Sequence, residues 1–312
     1  MKGSNLYVGL VSGLMLLASC RKEKPPPNLV FIFSDQQTYD MLGCYGNQQI
    51  KTPNLDRFAR EGIRFTHCFS NCPISTPFRG MLLSGQHSIK NGCFVNDMPL
   101  IPGNGKKFAE VLRDAGYSTA YIGKWHLLGG NRDRPIPRGE MRYGFDEVFY
   151  SNNCHVDFRA GKCFYWNEEG QKVFFDTWEV YGQTAQAVEY LESRKKQKNP
   201  FALFVSWHPP HDWGKFEGED GRKHYLYDAP DELMSIYYRD SIKVRPGMEN
   251  TPDLRRMYHG HMAMVSGIDN AFGSLMNTLE MLKLEENTLV VFTSDHGDML
   301  EFSQASLPKQ YP

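Results

Sequence analysis

Short apolar runs alternate along this chain with longer segments of helical periodicity. The runs are rich in β-branched and aromatic residues and predict buried strands at 28–34, 118–122, 201–207 and 288–293. Apolar residues at helical spacing predict helices at 55–61, 108–115, 184–196 and 257–284. This alternation predicts an α/β fold, with a mainly parallel sheet sandwiched by helices on both faces. Because ligands bind at the carboxyl ends of such strands, the residues that follow them are the first candidates for a site.

The composition narrows the class of protein. With 312 residues, of which 41% are hydrophobic, the chain can bury a large core in one large α/β domain or two smaller ones. A formal net charge of -1, without a long basic run, gives no electrostatic basis for binding nucleic acid. The stretch 129–178 is rich in glycine, aromatic and charged residues, has weak periodicity, and predicts loops and short strands over the rim of the site.

The N-terminus carries the features of an export signal. Lys2 precedes an apolar stretch at 6–18, which is too short for a membrane span of about 20 apolar residues. Leu-Ala-Ser-Cys resembles a bacterial lipoprotein cleavage site, with an ordinary signal peptide as the alternative. We predict a lipoprotein signal peptide at 1–20, a membrane anchor through a lipid on Cys20, a proline-rich tether at 21–27, and a periplasmic or cell-surface location. The other six cysteines could pair in that compartment, but the sequence does not assign partners.

The segment Ser-Thr-Pro-Phe-Arg, from Ser75 to Arg79, carries the most informative motif. A hydroxyl at the start of a helix lies where backbone N–H groups and the helix dipole favour negative charge. Arg79, four residues later, returns to the same face of the helix, so the two side chains suit an oxyanion. The alternative is that Ser75 only caps a helix whose first turn carries Pro77.

Two pairs of polar residues follow the first and last predicted strands. Asp35 and Gln36 follow the first strand, and Asp295 and His296 follow the last. Because the carboxyl ends of parallel strands meet at one edge, these side chains can converge around one cation. Carboxylate and amide oxygens suit a hard divalent ion such as calcium or magnesium, with the imidazole as an additional or outer contact. The alternative for each aspartate is a helix cap.

The segment 75–85 resembles the signature of formylglycine-dependent sulfatases, in which Cys or Ser is followed by x-Pro-x-Arg and then by Leu-Thr/Ser-Gly. The matching residues are Ser75, Pro77, Arg79, Leu83, Ser84 and Gly85. Counting from Cys72 instead would put Ile74 where proline is required and Thr76 where arginine is required. The modified residue of this resemblance is therefore Ser75.

This resemblance implies an alkaline-phosphatase-like fold and hydrolysis of sulfate esters, with a sulfated carbohydrate as the substrate. It implies that a formylglycine-generating maturation enzyme, of the anaerobic bacterial type, converts Ser75 to formylglycine. The implied metal is a divalent cation, Ca²⁺, with the ligands Asp35, Gln36, Ser75, Asp295 and His296. The Asp-Gln and Asp-His pairs also resemble phosphonate monoester and phosphodiester hydrolases of the wider alkaline phosphatase superfamily, which leaves that activity as an alternative.

Two further segments follow predicted strands and match the same family. In Gly-Lys-Trp-His, the resemblance implies that Lys124 contacts the anion and that His126 hydrogen-bonds the formylglycine hydrate as its base, with a near-neutral pKa suited to proton transfer. His-Pro-Pro-His lies where sulfatases have a histidine that protonates the leaving oxygen, and we favour His211 over His208. The predicted catalytic residues are Ser75, Arg79, Lys124, His126 and His211.

The resemblance covers residues 28–300, the predicted sulfatase catalytic domain, but not the C-terminal end. Sulfatases continue into a lysine-bearing loop that contacts sulfate and into a smaller C-terminal subdomain. The tail 301–312 matches neither, and Lys309 lies in no matching context. We therefore expect a truncated domain that lacks the smaller subdomain. A non-catalytic exported lipoprotein, inactivated by truncation, is the third interpretation.

Overall fold

A seven-stranded sheet forms the centre of the fold in the computed structural model, which describes residues 25–300. Its strands are β1 (Asn28–Ser34), β2 (Ser118–Lys124), β3 (Val148–Asn152), β4 (Phe164–Trp166), β5 (Lys172–Phe174), β6 (Phe201–Ser206) and β9 (Thr288–Ser294), and a separate hairpin pairs β7 (Gly214–Glu217) with β8 (Lys223–Leu226). The helices are α1 (Pro53–Glu61), α2 (Ser75–Ser84), α3 (Ser88–Asn91), α4 (Phe108–Asp114), α5 (Glu179–Arg194), α6 (Asp231–Met234) and α7 (Pro252–Met281). The predicted signal peptide at 1–20, most of the tether and the tail at 301–312 lie outside the described residues.

The strand order of the central sheet is β5-β4-β3-β2-β6-β1-β9. The strands from β3 to β9 in this order are parallel, and β4 and β5 are added antiparallel at one edge. The predicted mainly parallel α/β sheet is therefore confirmed. The stretch 129–178 differs from its prediction, because β3 is a parallel strand of the central sheet rather than part of a rim. β3 has only five residues and mixes polar with apolar side chains, so it gives no periodic signal in the sequence.

Alternate residues of the central strands pack against two different cores. In β6, every residue is buried. Leu203 and Val205 belong to the core that includes α5 and α7, whereas Ala202 and Phe204 belong to the core that includes Ala109 of α4. Because successive side chains of a strand point to opposite faces, this division shows that helices cover both sides of the sheet.

Two helices begin earlier than their periodicity predicts. The long helix α7 starts at Pro252, where the Thr251 hydroxyl accepts a hydrogen bond from the backbone N–H of Leu254 at 3.2 Å, a cap followed by proline in the first turn. The helix α5 starts at Glu179 rather than at residue 184. Gly182 weakens the helical signal there, but a Cβ at this position would lie 2.2 Å from the ring of Phe175, so close packing requires glycine.

Two further findings concern membranes and cysteines. Between residues 25 and 300, no helix is long and apolar enough to cross a bilayer. The six cysteines of this range, from Cys44 to Cys163, are unpaired. Cys20, the predicted lipid anchor, lies outside the described residues.

Glycine at position 123 lets β2 approach β6 closely at the carboxyl edge of the sheet. Gly123 lies opposite Ser206 in the register of the two strands, and its φ is +112°. A Cβ on Gly123 would lie 2.1 Å from the backbone oxygen of Ser206. Residues that have a side chain rarely adopt this backbone conformation. The added Cβ would also clash with the backbone of Ser206, which cannot move aside. The glycine therefore sets the position of Lys124, the next residue.

We predict that Gly123→Ala destabilises the fold more than Gly116→Ala does. Gly116 also has a positive φ, +88°, but a Cβ there would meet nothing within 4 Å. Both variants should lose about 1–2 kcal/mol from the left-handed conformation, and Gly123→Ala about 1–3 kcal/mol more from overpacking. Urea unfolding measures the difference. Equal losses would show that the close approach of β2 to β6 does not constrain the sheet.

Candidate active site

The hydroxyl of Ser75 is buried at the start of α2, beside the end of β1. Ile74 is the extended residue that precedes the helix and makes no side-chain cap, and Asn96 Oδ1 accepts a hydrogen bond from the backbone N–H of Thr76 at 3.0 Å. The Ser75 hydroxyl instead lies 3.2 Å from both carboxylate oxygens of Asp35 and donates to them. Helix capping therefore does not account for Ser75. The serine is 3% exposed, so it lies in a site of defined shape rather than on an open surface.

The carboxylate of Asp35 is the centre of the cluster. It is fully buried after β1, and its Oδ2 accepts hydrogen bonds from Lys124 Nζ at 2.6 Å and Arg79 Nη2 at 2.9 Å. Burial alone would raise the pKa of Asp35, but the charges of Lys124, then His211 and Arg79, hold this pKa well below its usual value. Asp35 is therefore ionised, and two buried cations share one of its oxygens.

Arg79 connects the carboxyl ends of four parallel strands. Its Nη1 donates to the backbone oxygen of Lys124 and to the hydroxyl of Ser206, both at 2.7 Å. Its Nη2 donates to Asp35 at 2.9 Å and to Asp295 at 3.4 Å. The planar fork of a guanidinium can make such contacts on two sides at once, which an ammonium cannot. Arg79 is 1% exposed, so these contacts are made away from solvent.

Asp295 supplies a second buried carboxylate beside the first. Its Oδ1 accepts hydrogen bonds from the backbone N–H groups of Gln36 at 2.9 Å and His296 at 2.8 Å. Burial, and then the negative charge of Asp35, raise the pKa of Asp295. The ring of His296 lies near, with Nε2 at 3.4 Å from the Ser75 hydroxyl and 3.6 Å from Asp295 Oδ1. A positive charge between the two carboxylates would relieve their repulsion.

The predicted metal ligands fit a divalent cation. Ligand atoms of Asp35, Asp295 and His296 all lie within 4.8 Å of one another. The side-chain nitrogen of Gln36 donates to Asp298 Oδ2 at 2.7 Å, so the side-chain oxygen is the atom of Gln36 that could bind a cation. Two carboxylates and an amide oxygen are the hard donors that calcium and magnesium prefer. Three of the predicted ligands, Asp35, Asp295 and His296, therefore converge at the carboxyl edge of the sheet. The Ser75 hydroxyl lies 3.4 Å from His296 Nε2, and the backbone N–H of Gln36 donates to Asp295.

A second group of acidic and imidazole side chains lies where the β7–β8 hairpin meets the start of α7. It consists of Asp220, His224 and Asp253. The two oxygens of Asp220 already accept hydrogen bonds from Arg222 Nε at 2.6 Å and from His224 Nε2 at 3.0 Å. Both oxygens of Asp220 are therefore already hydrogen-bonded within the protein.

His126 lies deep in the site but is not a near-neutral base in this structure. Its side chain is buried, and its backbone oxygen accepts a hydrogen bond from the Thr76 hydroxyl at 2.9 Å, next to Ser75 in the sequence. Burial, followed by the charges of Lys124 and Arg79, lowers the pKa of His126 to about 2. Burial and the two nearby cations therefore hold the pKa of His126 below the near-neutral value that was expected from the sequence. The imidazole is neutral.

Both histidines of the His-Pro-Pro-His segment lie near the carboxylate cluster. His208 is fully buried, and neither of its ring nitrogens has a hydrogen-bond partner among the described residues. Its ring packs against Phe158 and against His211, with centroids 4.9 and 5.5 Å apart. His211 is partly exposed, and its Nδ1 lies 2.5 Å from the backbone oxygen of Asp212. The geometry brings both rings together, and the choice of His211 as the acid stays a prediction.

Several residues of the site were not found from the sequence. Asp298 holds the side chain of Gln36 and also accepts a hydrogen bond from Tyr227 Oη at 2.5 Å. Asp97 contacts His126, with 3.2 Å between Oδ1 and Nε2. Asp298 lies in the same Asp-His-Gly-Asp run as two predicted ligands, which was a signal available in the sequence. Asp97 follows no predicted strand and belongs to no motif, so only the folded chain reveals it.

The fold and the site together define a class of protein. A mainly parallel sheet covered by helices on both faces agrees with an alkaline-phosphatase-like fold. The sulfatase family model matches residues 27–311. The chain belongs to the sulfatase family, which confirms the resemblance seen in the sequence.

Individual relatives agree with this assignment. The chain is 34% identical over 280 residues to the ulvan-active sulfatase of Formosa agariphila, covering 89% of this chain and 52% of that protein. It is 28% identical over 324 residues to the endo-4-O-sulfatase of Bacteroides thetaiotaomicron, covering 92% and 61%. A solved structure from a study of glycosaminoglycan metabolism in the latter organism superposes with a TM-score of 0.77 at 26% identity, covering 91% and 64%. The chain thus spans between half and two thirds of the length of these relatives.

We predict that Arg79→Leu strongly destabilises the fold, because it leaves Asp35 and Asp295 with one buried cation between them. Removing one partner of a buried ion pair costs about 3–5 kcal/mol. The matched control is Arg113→Leu, which removes an exposed arginine paired with Asp114 and Asp146 and should cost about 1 kcal/mol or less. Chemical denaturation measures both. If the Arg79 variant were as stable as the control, this guanidinium would not hold the strand ends together.

Proposed function

We propose that this chain carries the catalytic centre of a sulfatase that hydrolyses sulfate esters of carbohydrates. The observation that carries the proposal is the Ser75 hydroxyl, buried against Asp35 with Lys124 Nζ 3.3 Å away. The matched relatives include one that is named for activity on ulvan and one that is named an endo-4-O-sulfatase, which supports a sulfated carbohydrate as the substrate class.

The proposed nucleophile is a formylglycine made from Ser75. A maturation enzyme oxidises the CH₂OH group of the serine to an aldehyde, and water adds to the aldehyde to give two hydroxyls on one carbon. One hydroxyl attacks sulfur, and the bond from sulfur to the alcohol oxygen breaks. The second hydroxyl then loses its proton, the bond from carbon to the sulfate oxygen breaks, and the aldehyde forms again as sulfate leaves. An unmodified serine has no second hydroxyl and would remain sulfated.

The other proposed roles follow from charge and position. Arg79 and Lys124 stabilise the negative charge on the oxygens of the transferring sulfate group. A calcium ion held by Asp35, Asp295 and the other predicted ligands supplies further Lewis-acid stabilisation when bound. An anionic substrate beside the two cations offsets their effect on His126 and raises its pKa, which makes the imidazole a better base. His211 donates a proton to the leaving alcohol.

We expect Ser75→Ala to abolish hydrolysis of an aryl sulfate, because it removes the only proposed nucleophile. In the matured wild-type protein, the intact mass should be lower by two hydrogen atoms, and this difference should map to the peptide that contains Ser75. The matched control is Ser274→Ala, which removes an exposed hydroxyl that bonds only its own helix at Asn270. Full activity in the Ser75 variant would show that the proposed mechanism is wrong.

The same matured protein also distinguishes the two alternatives, which are a hydrolase of phosphorus esters and a non-catalytic protein. Turnover of phosphonate monoesters or phosphodiesters, with no turnover of aryl sulfate, would assign the site to phosphorus esters. No turnover of any of them by protein that carries the formylglycine would favour the non-catalytic alternative. We expect aryl sulfate to be the substrate that is turned over fastest.

Calcium should stabilise the folded protein through Asp295. A ligand at about 100 times its dissociation constant adds about 2.7 kcal/mol of stability, so adding calcium should raise the melting temperature of the wild-type chain. Asp295→Asn should remove this increase, whereas Asp220→Asn, at a carboxylate already hydrogen-bonded to Arg222 and His224, should retain it. Because the pKa of Asp295 is raised, protons should displace the cation as the pH falls through that value, and the calcium effect should disappear. A calcium shift that persists in the Asp295 variant would place the ion elsewhere.

Export and membrane attachment are proposed from the sequence alone. The lipid anchor at Cys20 and the tether at 21–27 would hold the domain at the bacterial envelope, where large sulfated polymers are accessible. Metabolic labelling with a fatty-acid analogue, compared between the wild-type protein and Cys20→Ser, tests the anchor. Label that is independent of Cys20 would contradict it.

A further inference from the structure

The carboxylate of Asp97 lies between a buried histidine and an arginine at the edge of the site. Its Oδ1 is 3.2 Å from His126 Nε2. Arg132 binds the same carboxylate in a bidentate manner, with Nε 2.9 Å from Oδ1 and Nη2 2.7 Å from Oδ2. Hydrogen bonds from Arg132, and then the bond from His126, lower the pKa of Asp97 and keep it ionised. An ionised carboxylate can only accept hydrogen bonds.

Thr76, the residue that follows Ser75, hydrogen-bonds the backbones of both Asp97 and His126. The Thr76 hydroxyl donates to the backbone oxygen of His126 at 2.9 Å and accepts from the backbone N–H of Asp97 at 3.3 Å. Asp97 and His126 both have positive φ angles, +64° and +56°, which are uncommon for residues other than glycine. Surrounding contacts must hold such conformations in place, and here they converge on one hydroxyl beside the proposed nucleophile.

We propose that Asp97, held by Arg132, is a positioning residue that fixes the ring of His126 with its proton on Nε2. Because the carboxylate can only accept, the ring nitrogen that faces it must carry the hydrogen. The lone pair then lies on Nδ1, which is buried and has no hydrogen-bond partner among residues 25–300. Nδ1 is therefore the atom that takes the proton of the second hydroxyl at position 75. This assignment of the atom rests on the proposed sulfatase function, whereas the tautomer itself does not.

The tautomer is tested directly by nitrogen NMR of the full chain labelled at histidine. The signals of His126 are assigned by their loss in His126→Gln. We expect a protonated Nε2 and a bare Nδ1 in the wild-type protein. A protonated Nδ1 would overturn the proposal, whether or not the protein hydrolyses sulfate esters. Conversely, a correct tautomer in a protein without sulfatase activity would contradict the proposed function only.

The positioning role is tested with Asp97→Gly, because glycine adopts the positive φ at this position without strain. Removing the acceptor should lower kcat by about 10²–10⁴, the range for loss of a positioned base, with little change in KM, in the melting temperature or in the formylglycine content. The His126 nitrogens should then show a mixture of tautomers. The matched control is Asp146→Ala, which removes an exposed carboxylate that pairs with Arg113 at 2.9 Å and should leave kcat unchanged. An unchanged kcat in Asp97→Gly would contradict the proposal.

Arg132 provides a second test, because it is argued to act only through Asp97. We expect Arg132→Gln to lower kcat less than Asp97→Gly does. The double variant should be no slower than Asp97→Gly alone, since the arginine has nothing to hold once the carboxylate is gone. Losses that multiply in the double variant would show that Arg132 acts on the substrate itself, and would overturn its assigned role.

Discussion

The structure depends on the ionised carboxylate of Asp35 and on the two buried cations that share it. An unpaired carboxylate at this depth would be costly, so Arg79 and Lys124 must both be present for the strand ends to pack. In the proposed mechanism the same two cations also serve the chemistry, because they would stabilise the charge that develops on a transferring sulfate group beside Ser75. Stability and function are therefore coupled at this point. The carboxylate anchors the cations, and the cations define where an anion can bind.

Much of the fold follows from the sequence because the central strands are buried on both faces. β1 and β6 are buried apolar runs, whereas the edge strand β9 has an apolar centre but no buried residue. The predicted bounds of all three strands agree with the structure to within one residue. The polar hairpin of β7 and β8 was not predicted, since it carries no apolar pattern. The start of α5 was missed because the glycine that its packing requires also weakens the helical signal. The local pattern of apolar residues therefore predicts these strands well, but it does not predict the contacts between elements of the fold.

The site was predictable as far as its residues belong to motifs at strand ends. Asp35 and Asp295 were expected together because parallel strands end at one edge, and the two lie in contact with the same guanidinium. The tertiary consequences were not predictable. The pKa of His126 is lowered by burial, by the neighbouring Lys124 and by Arg79 from α2, and the partner of its ring, Asp97, comes from a loop without any motif. Those contacts exist only once the chain has folded.

The most direct test of the account is a crystal structure of the matured protein with calcium and sulfate. We expect the cation between Asp35 and Asp295, and the sulfate against Arg79 and Lys124. The hydrated aldehyde at position 75 should lie within hydrogen-bond distance of the sulfate. A structure in which the ion or the sulfate binds away from these side chains, or in which position 75 faces elsewhere, would contradict it.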